Sequence, residues 1–252
     1  MEVITKYALY EKLRRKELYI VSALCVLILL LLSSGSTELT VAGEPVTGFN
    51  AMFPVLHTVA NALSCLFAAV LSCGTIPQEY ERHSSHLVWA RGISQPVYHG
   101  GLALANLIAS CIPALIQYVL LAGYAVLNGH SEMPGRLFPA FLILMVNIGV
   151  VSLFTSAVSI PLSGMPAGVI GALLAIIGIF HGLLEMYGRV IGGVPSTLLN
   201  AVLTVIPNLY KIGGQAENLL LGKEISVHVL LVGLLAVYIG TALIWALRKK
   251  EA

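Results

Sequence analysis

IPQEYERHSSHLVWARGISQ, residues 76–95, lies between two long apolar runs and carries Glu79, Glu81, Arg82 and Arg91 together with His83 and His86. Whether this stretch is a loop in water or a helix at a membrane surface decides how the runs on either side are ordered. A loop open to water has no use for Leu87 or Trp89. Taken as a helix from about Gln78, the residues Tyr80, Ser84, Leu87 and Arg91 share one stripe, and Glu79, Arg82, His83 and His86 fall on others. On periodicity alone the segment reads as a short amphipathic helix at an interface, anchored by Trp89.

The flanking runs, about 51–74 and 97–127, are long enough to span a bilayer. Four more follow the same rule, at about 18–34, 137–160, 167–187 and 226–247. The chain is 58% hydrophobic and 10% charged, against ~25% charged in an ordinary soluble domain, and its mean hydropathy is +0.90. These values predict an all-α, polytopic membrane protein: one domain over 1–252, six transmembrane helices, embedded in the lipid bilayer. Before the first span, Val3, Tyr7, Tyr10 and Leu13 recur at helical spacing among basic residues, which predicts an amphipathic helix over 3–17 on the membrane surface. A cleaved signal peptide is the rival reading, given Ser33, Ser34 and Gly35, but its charged region would be long and would contain Glu11 and Glu17. STLLNAVLTVI, 196–206, is apolar but too short to span and reads as a re-entrant or interfacial helix.

Lys and Arg set the orientation. Ten of the fourteen fall in the N-terminal segment, in 76–95 and in the C-terminal Arg248-Lys249-Lys250; the other four are Arg136, Arg189, Lys211 and Lys223. The asymmetry places both termini and 76–95 in the cytoplasm of a multi-pass protein of the cell membrane.

Several chemistries are set aside by composition. A net charge of +2 gives no footprint for a nucleic-acid partner. All twelve acidic residues are Glu, so no Walker-B Asp exists. The nearest approach to a phosphate-binding loop, LLGKE at 220–224, lacks both the earlier Gly and the Ser/Thr. Cys25, Cys65, Cys73 and Cys111 sit in or at the edges of apolar runs without a C-x-x-C pair, and His83 with His86 alone makes no closed metal site. No catalytic residue, metal or cofactor is therefore expected in this chain.

The fifth run carries small residues on one face: Gly164, Gly168, Gly171, Ala175, Gly178 and Gly182, at alternating spacings of four and three. Such a face lets two membrane helices approach closely. Carried three residues further, the stripe reaches Glu185, with His181 one turn before it. An acid within a span is a candidate for a substrate path; the plainer reading is a carboxylate that water reaches at the outer end. Asn61, Asn106, Gln117 and Asn147, within spans, are expected to make interhelical hydrogen bonds.

The 76–95 stretch also resembles the cytoplasmic segment that follows the second span in permeases of the type-2 ATP-binding cassette (ABC) transporter family. That segment reads roughly E-[IV]-E-x-G-T, a few apolar residues, P-[VI]-S-R, then G-K. Here Glu79, Glu81, Ile93, Ser94 and Gly101 match and Ser84 replaces Thr, whereas His83, Gly92, Gln95 and Leu102 depart from the pattern. LRRKELY, 13–19, is similar to the family's elbow helix, and 206–252 is similar to its last span and basic tail. The resemblance implies that 76–95 is a coupling helix docked on a separate ATPase subunit, with Glu79, Glu81, Ser84, Leu87, Trp89 and Arg91 at the contact. It further implies two ATPase copies that bind ATP and Mg, a second permease subunit that is identical or related, and export as the direction of transport. A secondary transporter or channel would instead show discontinuous helices or midplane charges. An intramembrane hydrolase would need Ser163 and His181 to meet, although ~27 Å of helix separates them.

Overall fold

A computed structural model of the chain describes residues 1–33, 40–41, 44–45 and 48–248. Among these the regular elements are helices apart from one antiparallel pair of two-residue strands, β1 (Thr40–Val41) and β2 (Glu44–Pro45). The helices are α1 (Glu2–Arg14), α2 (Lys16–Ser33), α3 (Phe49–Cys73), α4 (Thr75–Glu81), α5 (Ser84–Trp89), α6 (Gln95–Leu127) and α7 (Met133–Val158). They continue with α8 (Gly164–Ile179), α9 (His181–Ile191), α10 (Gly193–Val205), α11 (Leu209–Leu220) and α12 (Val227–Ala246).

Five segments are long and apolar enough to cross a membrane: α2, α3 continued through α4, α6, α7 and α12. The fifth run of the sequence does not form the continuous span expected over 167–187. It divides at Phe180 into α8 and α9, which meet at 73°. A helix kinks sharply where small residues or competing side-chain bonds interrupt its ladder. Gly178 and Gly182 flank this break, and the His181 side chain bonds away from its own helix. The first surface helix also ends earlier than expected. Arg15 is extended (φ −76°, ψ 134°) and separates α1 from α2.

α7 stands at the centre of the bundle, against α3, α6, α8, α11 and α12. Apolar side chains gain little by leaving lipid for one another, so close backbone approach does the work of burial. On α12 a methyl at Gly233 would stand 2.8 Å from Val146 Cγ1, and one at Gly240 would stand 3.2 Å from Leu153 Cβ. The rest of α12 is apolar all round, and Leu231, Leu235, Tyr238 and Ile239 are exposed, as suits a helix facing lipid.

Two buried amides fix the level at which the last third of the chain enters. Asn61, midway along α3, accepts from Asn147 Nδ2, near the middle of α7, at 3.1 Å. The same nitrogen donates to the Leu209 carbonyl at 3.0 Å. α11 therefore begins half-way up the bundle. It ends beside the first turn of α7, where Arg136 Nη1 donates to the Leu220 carbonyl at 3.1 Å. Before it, α9 and α10 fold back on each other through Gly192 and Gly193, both at φ 66°, a backbone state that glycine adopts without a Cβ penalty.

Candidate functional site

At the end of the bundle that carries α1, the 76–95 segment forms a ledge. It is not the single helix expected from its pattern. α4 continues α3 past Gly74, the chain breaks at Arg82–His83, and α5 follows. His83 has φ 56°, in the left-handed region that ends a right-handed helix. The break puts the two halves of the expected stripe on separate helices. Glu81, Arg82 and Arg91 are exposed. Glu79 is half-buried and accepts from the Tyr98 hydroxyl at 2.6 Å. Trp89 is half-buried edge-on to Tyr98, with ring centroids 5.5 Å apart, and the Tyr80 hydroxyl meets His99 Nε2 at 2.8 Å. The side chains of Ser84, His86 and Leu87 lie outside the described residues.

α1 lies beside the ledge. Arg82 Nη1 reaches Glu11 Oε1 at 2.9 Å, and Arg15 Nη2 reaches the same oxygen at 2.6 Å. The Arg15 hydrogen bond, followed by that of Arg82, holds the Glu11 carboxyl below its usual range. Arg15 also donates to Gln78 Oε1 at 2.5 Å. On the buried side Thr5 Oγ1 donates to the Gly101 carbonyl at 3.1 Å, and Lys12 Nζ donates to the Leu71 carbonyl. Burial lowers the Lys12 amine to about 8. Between α1 and the ledge runs a cleft of about 680 Å³, lined by Tyr7, Glu11, Glu79, Arg91, Tyr98 and Leu102 among others.

The root of the ledge is a buried polar network. Thr75 Oγ1 donates to Asn106 Oδ1 at 2.7 Å, and Asn106 Nδ2 donates to Ser156 Oγ at 2.9 Å and to the Ser72 carbonyl at 3.3 Å. Ser72 and Ser152 share a hydroxyl bond of 2.8 Å. Asn106, Ser72, Ser152 and Ser156 show no exposed surface. In a bilayer such groups have no water to turn to, so the first turn of α4 is tied to both α6 and α7.

The small residues of α8 meet three elements. A methyl at Gly164 would stand 3.3 Å from Gly74 Cα, and one at Gly168 would stand 3.1 Å from Cys73 Sγ, at the α3–α4 junction. One at Gly171 would collide with Thr155 of α7. Ala175 is fully buried. One at Gly178 would stand 2.7 Å from Leu209 Cγ, and one at Gly182, beyond the break, 3.4 Å from the Tyr210 ring.

The bend at Phe180 changes where the stripe leads. Glu185 does not continue the packed face. It is about a third exposed and pairs with Arg189 of its own helix at 2.7 Å. His181 instead joins the turns around it. Asn208 Nδ2 meets its Nδ1 at 2.9 Å, and its Nε2 meets the Leu203 carbonyl at 3.0 Å. The Asn208 oxygen already accepts from Lys211 N at 2.8 Å, capping α11, so the amide nitrogen faces the ring. The neutral Nε2–H tautomer satisfies both contacts. Ser163 occupies the N-cap position at the opposite end of α8, ~24 Å of helix away.

One feature is not foreshadowed by the sequence motifs. α3 and α11 enclose a cavity of about 320 Å³ that His57, Asn61, Lys211, Gly213, Gly214 and Glu217 help to line. The sequence signals were the Gly213-Gly214 pair and the in-span Asn61, which carry this meaning only once α11 is known to start mid-bundle. Among the described residues no group of His, Cys, Asp or Glu could hold a metal ion. No model of a known protein family matches the chain. No curated protein matches it either.

Proposed function

We propose that the chain is the membrane-spanning permease of a transporter driven by ATP that a separate subunit hydrolyses, with the 76–95 ledge receiving the drive. One observation carries the reading. The ledge presents Glu81, Arg82 and Arg91 outward while its first turn is hydrogen-bonded to two other spans through Asn106. A push on such a ledge moves α3, α6 and α7 together, because buried hydrogen bonds in a medium without water are not exchanged for solvent. The cleft against α1 offers a seat for a partner surface. The type-2 ABC pattern at Glu79, Glu81, Ile93, Ser94 and Gly101 supports the same role, and the chain would work beside a second permease, with both termini in the cytoplasm.

The test is retrieval of the tagged chain from its own membranes. A nucleotide-hydrolysing subunit should co-purify with it. Replacing Glu81 and Arg91 together by Ala should release that subunit while leaving the amount of folded chain unchanged, since both side chains are exposed. Transport by the purified chain alone in liposomes, with no ATPase present, would refute the reading. It would favour a carrier that works without an ATPase. That second reading rests on the broken α8–α9 pair and on a half-helix, α11, that starts mid-bundle, both habits of secondary transporters.

A further inference from the structure

We propose that the cavity between α3 and α11 binds an anionic oxygen group of the phosphate type, either free in solution or carried on a lipid. The site stands whether or not the ATP-driven reading holds. Its deep wall is donors. Asn61 is 6% exposed, and its oxygen is taken by Asn147 Nδ2 at 3.1 Å and Cys65 Sγ at 3.7 Å. That fixes the amide with its nitrogen towards Gly213, where even a methyl group would collide with it. His57 is 2% exposed, and its Nε2 meets the Tyr118 hydroxyl at 2.8 Å. The Tyr118 hydroxyl has no other partner among the described residues, so it donates, and the ring proton sits on Nδ1. Neither His57 Nδ1 nor Asn61 Nδ2 has a partner among the described residues, and neither is sealed in the core. Both residues line the cavity.

The rim adds charge. Lys211 lines the cavity from the first turn of α11, at the level of the middle of α3 and α7, and has no ion pair among the described residues. The positive end of the α11 dipole lies at the same place and also favours an anion. Glu217, one turn beyond Gly213, lines the cavity towards the other end of α11 and confines an anion to the Lys211 end. A cavity of about 320 Å³ accommodates a phosphate head with room for one substituent.

The experiment uses the full chain in a non-ionic detergent, with inorganic phosphate as probe and ³¹P line broadening as readout. A second arm uses nanodiscs of phosphatidylcholine with or without phosphatidylglycerol, and reads retained lipid by native mass spectrometry. Two variants spare the packing. Lys211 is exposed, so Lys211→Gln removes only charge. A Cβ on Gly214 meets nothing within 4 Å, so Gly214→Leu fills the cavity from its open side. Helical circular dichroism checks that both fold. The expected result is binding by the wild type, weakened at least about tenfold by Lys211→Gln and abolished by Gly214→Leu. Broadening by phosphate with no retained lipid assigns a solute; selective retention of phosphatidylglycerol assigns a lipid. Wild-type binding of neither probe, or binding that a folded Gly214→Leu leaves unchanged, would overturn the proposal.

Discussion

Two interruptions among the helices are built in opposite ways. The ledge of α4 and α5 is charged on its outside and anchored on its inside: Thr75 reaches α6, Asn106 reaches α7, and Glu11 of α1 pairs with Arg82. The break at Phe180 is apolar on its outside and lightly held. α9 and α10 pack mainly on each other, and Met186, Val190, Val194 and Leu198 are exposed. What holds the second region to the bundle is α11, through the Asn147–Leu209 bond and the contact with Gly178. The contrast separates an element tied into the bundle on several sides from one that can shift while the bundle stays intact. Local stability follows the density of such ties.

The largest effect should come from the root of the second region. A leucine at Gly178 has no room, since its Cβ alone would stand 2.7 Å from Leu209 Cγ and 3.0 Å from the Pro207 oxygen. Gly178→Leu should cost roughly 3 kcal/mol or more, in the range of overpacked cores, and should release α11 and the α9–α10 hairpin. Cysteine labelling at position 216, buried on the packed face of α11, should rise sharply while labelling at position 91 stays as in the wild type. Equal labelling changes at both ends would mean that the two regions are not independent.

Asn106→Leu attacks the root of the ledge. It removes three hydrogen bonds and leaves Thr75 and Ser156 without the partner each had. Hydrogen bonds between membrane helices average ~0.6 kcal/mol each, so a loss of about 2 kcal/mol is expected, smaller than that of Gly178→Leu. The mark of this variant is where the loss appears. Labelling at position 91 should change and labelling at position 216 should not.

The two regions were also unequally legible in the sequence. The spans were readable because their signal is length and apolarity, which no tertiary contact needs to complete. The small face of α8 was readable because its period is that of one helix. The break at Phe180 was not, because IIGIFHGLL has neither Pro nor a polar run. The kink depends on Leu203 and Asn208, more than twenty residues away, holding His181. The stripe does not run on to Glu185 for the same reason: extending it assumes a straight axis, and the axis turns at Phe180. At the ledge the amphipathic pattern was visible, but His83 ends the first helix through its own backbone angle, which the pattern of apolar residues does not encode. The α3–α11 cavity depends on α11 starting mid-bundle, a level set by the paired amides Asn61 and Asn147.

The third effect concerns α1 and depends on pH. Lys12 is buried against the Leu71 carbonyl, and its amine is lowered to about 8 from an ordinary value of 10.5. Burial is the first cause and the nearby Arg15 charge the second. Below about 8 the amine is charged whether α1 is docked or free, so docking bears the full cost of burying a charge. Between about 8 and 10.5 the free helix holds a proton that the docked helix does not. Docking therefore tightens as pH rises through that window, by at most about 1.4 kcal/mol per pH unit. Glu11 acts at the other end of the scale. Its carboxyl is lowered, so its link to Arg15 and Arg82 is present above the ordinary carboxylate range and is lost as pH falls below it. Protection of a cysteine placed at position 8 should rise from pH 8 to 10.5 in the wild type and stay flat in Lys12→Met, which keeps the apolar stem and removes the amine. A slope that survives in Lys12→Met would assign the pH dependence to another group and leave Lys12 as packing alone.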